Sequence, residues 1–91
     1  MEYLEDKFII PESNQYGENL IGKRISIFWP GDNVYYQALV IKYDEPKDKH
    51  IVLYENDFSG KQYNENLRKS HWKIWSGTDE EYVETFTKVK T

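Results

Sequence analysis

The chain has 91 residues, 12 of them basic and 16 acidic, for a formal net charge of −4, and it contains no cysteine. That length builds one domain with a modest core and little room for a deep catalytic cleft, and the missing cysteines exclude a disulfide framework and a thiolate metal site. The acidic balance argues against a sequence-independent grip on DNA or RNA and favours basic partners such as peptide tails.

Residues 1–19 form a flank. Tyr3, Leu4, Phe8, Ile9 and Ile10 make a short apolar patch, Pro11 stops any helix begun before it, and a polar connector follows. Docking on the domain, the tail of a preceding domain and a partly ordered terminus are all open readings. The acids among residues 1–10 are unlike a signal peptide, and no apolar run approaches the roughly 20 residues needed to cross a bilayer. A soluble intracellular chain without membrane contact is expected.

From Leu20 the pattern alternates. Ile25, Ile27 and Trp29 share one face of a first strand, with Arg24, Ser26 and Phe28 on the other, until Pro30 and Gly31 turn the chain. A second strand runs from about Val34 to Tyr43, with Tyr36, Ala38 and Val40 on one side. Residues 50–55 form a third strand, residues 61–67 a short fourth and residues 71–75 a fifth. Short strands at this spacing, joined by tight polar turns, predict an antiparallel meander that curls to protect its edges. Residues 76–91 fit a helix capped by Thr78 and Glu81, with Tyr82, Val83, Phe86 and Val89 on one face; a strand is the rival, because the same stretch is rich in β-branched residues. Several aromatic residues fall at strand ends, where ring faces can meet around a ligand with a soft, spread-out positive charge.

Residues 20–57 closely resemble a Tudor domain of the Royal superfamily. Gly22 and Lys23 precede the first strand, Trp29 closes it, Tyr35 and Tyr36 follow a polar turn, Ala38 comes next, and the third strand ends in Tyr54 and Glu55. Asn66, Leu67 and Trp72 resemble the closing segment, which extends the match to about residue 75. The resemblance implies a five-stranded antiparallel SH3-like barrel over residues 20–75. It implies recognition of methylated lysine, or methylated arginine, on a peptide such as a histone tail, within a larger nuclear, chromatin-associated protein. Carried over, Trp29, Tyr36 and Tyr54 are walls of an aromatic cage and Phe58 is the fourth. The loop carrying Phe58 is about two residues longer than the usual Tudor segment, and Tyr63 is the replacement candidate.

Methylating an ammonium keeps its charge while removing N–H donors, so the group loses hydration and gains affinity for ring faces. Three or four rings would supply on the order of 2–6 kcal/mol, so useful affinity needs flanking contacts, for which Asp32, Glu55 and Asp57 are candidates. A carboxylate that accepts a remaining N–H favours mono- or dimethyl states, and Asn56 and Asp57 are best placed for that selection.

Other readings stand beside this one. Trp29 and Tyr54 could cap the core, Phe58 could plug the open end of a barrel, and Trp72 and Trp75 fit core packing. A barrel without a working cage would be a contact module for protein or, weakly, for DNA or RNA; a contiguous surface of Lys42, Lys61, Arg68, Lys69 and Lys73 would favour nucleic acid. Catalysis finds little support: His50 and His71 stand in no nucleophile motif, and neither a phosphate loop nor a metal-ligand cluster is present, so no enzyme and no cofactor are expected.

Overall fold

A computed structural model of the chain describes residues 7–78 and 80–82. Its strands are β1 (Phe8–Ile9), β2 (Arg24–Trp29), β3 (Val34–Asp44), β4 (Lys49–Tyr54), β5 (Tyr63–Glu65) and β6 (Trp72–Trp75). They make one antiparallel sheet in the order β1-β6-β2-β3-β4-β5. This is the small barrel-like architecture expected, with one strand more. The extra strand is β1, whose two residues pair with Trp75 and Ile74 and are too few to show an alternating pattern.

The sheet bends because β3 is long and irregular. Its register against β4 shifts between Val40 and Lys42, a bulge that raises the local twist and lets one strand serve both halves of the fold. The core then gathers residues from four successive strands of the sheet: Ile74 from β6, Ile25 and Ile27 from β2, Ala38 and Val40 from β3, and Val52 and Tyr54 from β4. Two short 3-10 turns, Gly17–Leu20 and Leu67–Lys69, add Leu20 and Leu67 to it.

The flanks are built in at two places. Asp48 accepts hydrogen bonds from the hydroxyls of Tyr16 (2.9 Å) and Tyr43 (2.7 Å) and from the Arg68 guanidinium, which also lies over the Tyr16 ring. Beside it the buried His50 accepts the Gly17 N–H at 3.0 Å through Nε2, which leaves the proton of the neutral ring on Nδ1. Gly17 reaches that bond with φ +65°, a conformation that favours glycine.

A second cluster joins Phe8, Trp75 and Tyr82 edge to face. Thr78 and Glu81 cap each other reciprocally, the Thr78 N–H donating to Glu81 at 2.9 Å and the Glu81 N–H to Thr78 Oγ1 at 3.0 Å. Residues 80–82 are helical. The remainder of the expected helix, with Val83, Phe86 and Val89, lies outside the described residues, as do Tyr3 and Leu4.

Acid should act on the Asp48 and His50 contacts in two ranges. Burial holds His50 below the ordinary imidazole value, so the unfolded chain takes a proton that the folded one resists, and stability falls as pH drops below about 6.5. Asp48 is held down to about 2, first by its bond from Arg68; its contribution is complete above about pH 4 and is lost as pH falls through about 2. In urea melts, Asp48→Asn is expected to be less stable than wild type at pH 5 and to converge with it near pH 2. Equal stability at both would show that the Asp48 contacts contribute nothing.

Candidate functional site

The register of the sheet decides where the rings go. Trp29 pairs with Val34 and Ile27 with Tyr36, so Trp29 and Tyr36 are diagonal neighbours on one face. Ala38 pairs with Tyr54, which makes Tyr36 and Tyr54 diagonal, and Val52 pairs with Tyr63, which makes Tyr54 and Tyr63 diagonal. Diagonal partners lie about 7–8 Å apart at the backbone, within reach of aromatic side chains. Four rings therefore step across β2, β3, β4 and β5 at one end of the core face.

The ring centroids follow that staircase: 5.7 Å from Trp29 to Tyr36, 6.5 Å from Tyr36 to Tyr54 and 5.0 Å from Tyr54 to Tyr63, each pair close to perpendicular. The bend of the sheet also brings Trp29 to within 5.5 Å of Tyr54. Between the rings lies a cavity of about 250 Å³ whose lining includes the exposed Asp32 and Asn56, so it opens to solvent. Asp57 completes the rim. The space falls below the roughly 300 Å³ at which pockets for whole small molecules begin.

Hydrogen bonds fix the walls. Tyr36 donates to Asp32 at 2.6 Å and Tyr63 to Asp57 at 2.9 Å, and these bonds to carboxylates are the leading reason that both phenols titrate above their ordinary value. Trp29 Nε1–H donates to the Tyr54 oxygen at 2.9 Å, and the Tyr54 hydroxyl donates to Glu65 at 2.7 Å. Burial, then the bond to Glu65, raises the Tyr54 pKa. Asp57 also accepts the Ser59 N–H at 3.0 Å, and its carboxyl lies below the usual range chiefly through bonds to Ser59.

Of the residues singled out from the sequence, Trp29, Tyr36, Tyr54, Asp32, Asn56 and Asp57 are brought together around this cavity. Two are placed elsewhere. Phe58 is 87% exposed and does not line the cavity, because the Asp57–Ser59 turn ties the long loop close to itself and the register delivers Tyr63 to the fourth wall. Glu55 follows Tyr54 in the alternation and so points to the other side of β4, where it pairs with Arg24 at 3.3 Å and accepts the Tyr82 hydroxyl. Tyr54 is only 5% exposed and belongs to the core as well as to the wall. In the sequence Glu65 is marked only by the spacing Tyr63-x-Glu65, which in a strand puts both on one face.

Three of the five basic residues that would mark a nucleic-acid surface lie over rings. Arg68 lies over Tyr16, Lys61 over Tyr63 and Lys73 over Tyr35, three rings on different elements. Among the described residues, no group of three or more His, Asp or Glu side chains is arranged to hold a metal ion.

The family model for the "Lamin-B receptor of TUDOR domain" matches residues 10–61, more than half of the chain. The chain belongs to the Tudor family. A solved Tudor domain, that of Arabidopsis RDM15 in complex with an H3K4me1 peptide, is 39% identical, with a TM-score of 0.58 over 65% of this chain and 97% of that one. Two relatives from Arabidopsis thaliana are the sister chromatid cohesion protein PDS5 homolog C, 39% identical over 70% of this chain, and the DNA mismatch repair protein MSH6, 32% identical over 65%. The chain spans 7% of the first of these and 4% of the second.

The double duty of Tyr54 separates stability from binding. Tyr54→Ala is expected to destabilise the domain by about 3–5 kcal/mol, as large-to-small core changes do, whereas Tyr36→Ala, on a half-buried ring at the rim, should cost about 1 kcal/mol or less. Thermal or urea melts of the two variants check this, and similar losses would contradict the placement of Tyr54 in the core.

Proposed function

We propose that this Tudor domain is a reader of methylated lysine on histone-tail peptides, with Trp29, Tyr36, Tyr54 and Tyr63 as the cage. The observation that carries the reading is the staircase of four near-perpendicular rings around an open cavity with Asp32 and Asp57 at its edge. Ring faces attract a diffuse cation, and two rim carboxylates attract a basic tail and can accept N–H from an incompletely methylated ammonium. Mono- and dimethyl states are therefore preferred over trimethyl. The likeness to a Tudor domain solved with an H3K4me1 peptide supports both the peptide class and the low methylation state. The relatives named for chromatid cohesion and mismatch repair support a place in a larger, nuclear, chromatin-associated protein, in which this domain binds and does not catalyse.

Titration with histone H3 tail peptides, unmodified and mono-, di- or trimethylated at one lysine, tests the reading. Methylation is expected to tighten binding by about tenfold or more, with millimolar to tens-of-micromolar Kd values from the rings alone. Tyr36→Ala should abolish the gain, and Asp57→Asn should narrow the preference for lower methylation states while weakening trimethyl binding less than mono- or dimethyl binding. Equal binding of unmodified and methylated peptides would sink the proposal, and a preference for methylarginine peptides would redirect it to that ligand.

A further inference from the structure

Each of the three tyrosine walls donates its hydroxyl to a carboxylate of its own: Tyr36 to Asp32, Tyr54 to Glu65 and Tyr63 to Asp57. Asp32 and Asp57 line the cavity, but Glu65 does not; it stands half-buried on β5 behind Tyr54. We infer that Glu65 is the positioning residue of the cage and that the three carboxylates acting through the ring hydroxyls make the site select its ligand by charge more than by size. This rests on the reading of the ring cluster as a cage.

The direction of the relay through Glu65 follows from its chemistry. Indole N–H only donates and an ionised carboxylate only accepts, so the single Tyr54 proton goes to Glu65 and the lone pairs of the Tyr54 oxygen are left for Trp29. Without an acceptor at position 65 the hydroxyl is free to turn, and the Trp29 N–H loses an oriented partner. Glu65 thereby holds two walls, neither of which it shares a strand with, at their interplanar angle of 85°.

The charge has a second effect. A hydroxyl that donates to an anion forms a stronger bond than one that donates to a neutral group, and neighbouring bonds polarise each other. Electron density pushed toward the ring deepens the negative face that attracts cations. Satisfying the hydroxyls alone does not call for this arrangement, since the Tyr36 hydroxyl sits at an exposed bond and water would serve it.

Two measurements on the intact chain test the inference. The first needs no ligand: the Trp29 indole N–H resonance and its exchange with solvent. Glu65→Gln keeps a carbonyl acceptor without the charge and should leave the indole signal nearly in place, whereas Glu65→Ala should shift it and speed its exchange, with melting curves confirming that both variants fold. The second compares an H3 peptide bearing trimethyl-lysine with the same peptide in which the quaternary nitrogen is replaced by carbon, a neutral group of equal shape. Wild type should prefer the charged peptide by about tenfold or more, and Glu65→Gln should cut that preference by about threefold or more while the neutral peptide binds as before.

An indole signal indifferent to Glu65→Ala overturns the positioning role. A loss of affinity that is equal for both peptides, or absent for both, overturns the selection by charge. If wild type binds no methylated peptide, the cage reading and the charge selection fall together, and the indole measurement still decides the relay.

Discussion

Side chains two positions apart on a strand and one strand over share a face, and in this chain that diagonal runs through four rings in succession. Trp29, Tyr36, Tyr54 and Tyr63 each occupy the step that pairing dictates, so a change of one residue in the register of any strand would send a wall to the opposite face. The same alternation that fills the core with Ile25, Ile27, Ala38, Val40 and Val52 ends in these rings. Site and core are thus one continuous surface, apolar where the sheet closes and aromatic where it opens.

What could be read from the sequence was what alternation and strand ends encode. Trp29, Tyr36 and Tyr54 sit where period-two patterning and turn residues put them, and the strand limits follow the same signals closely. Phe58 and Glu55 show where this information runs out. Loop length sets which residue enters the next strand, so the choice between Phe58 and Tyr63 depended on the register of β5, which a three-residue strand does not announce. The charge of Glu55 is legible in the sequence, but its side is fixed by the inward Tyr54 beside it, and Arg24 and Tyr82 are its partners there. Both β1 and Glu65 required knowledge of contacts between residues far apart in the chain: Phe8 with Trp75, and Tyr54 with Glu65.

Polar anchors attach the outer segments to this sheet. Asp48 gathers Tyr16, Tyr43 and Arg68 at the β3–β4 turn, and so fastens the connector before β2 to a turn more than thirty residues later in the chain. Tyr82 joins Phe8 and Trp75 while its hydroxyl reaches Glu55, next to the stretch that carries Asn56 and Asp57. Residues that looked peripheral in the sequence are therefore tied, through one or two contacts, to the strands that present the rings.

The pairing of β1 with β6 carries a mechanical consequence. Lys7 accepts the Ser76 N–H at 2.8 Å, so the incoming and outgoing stretches of backbone lie side by side. Tension applied through both would peel two short antiparallel segments apart from their shared end, loading their bonds one after another. Force would strip β1 and expose Phe8 long before it disturbed β3 and β4, leaving the rings assembled on a sheet that had already yielded at its margin.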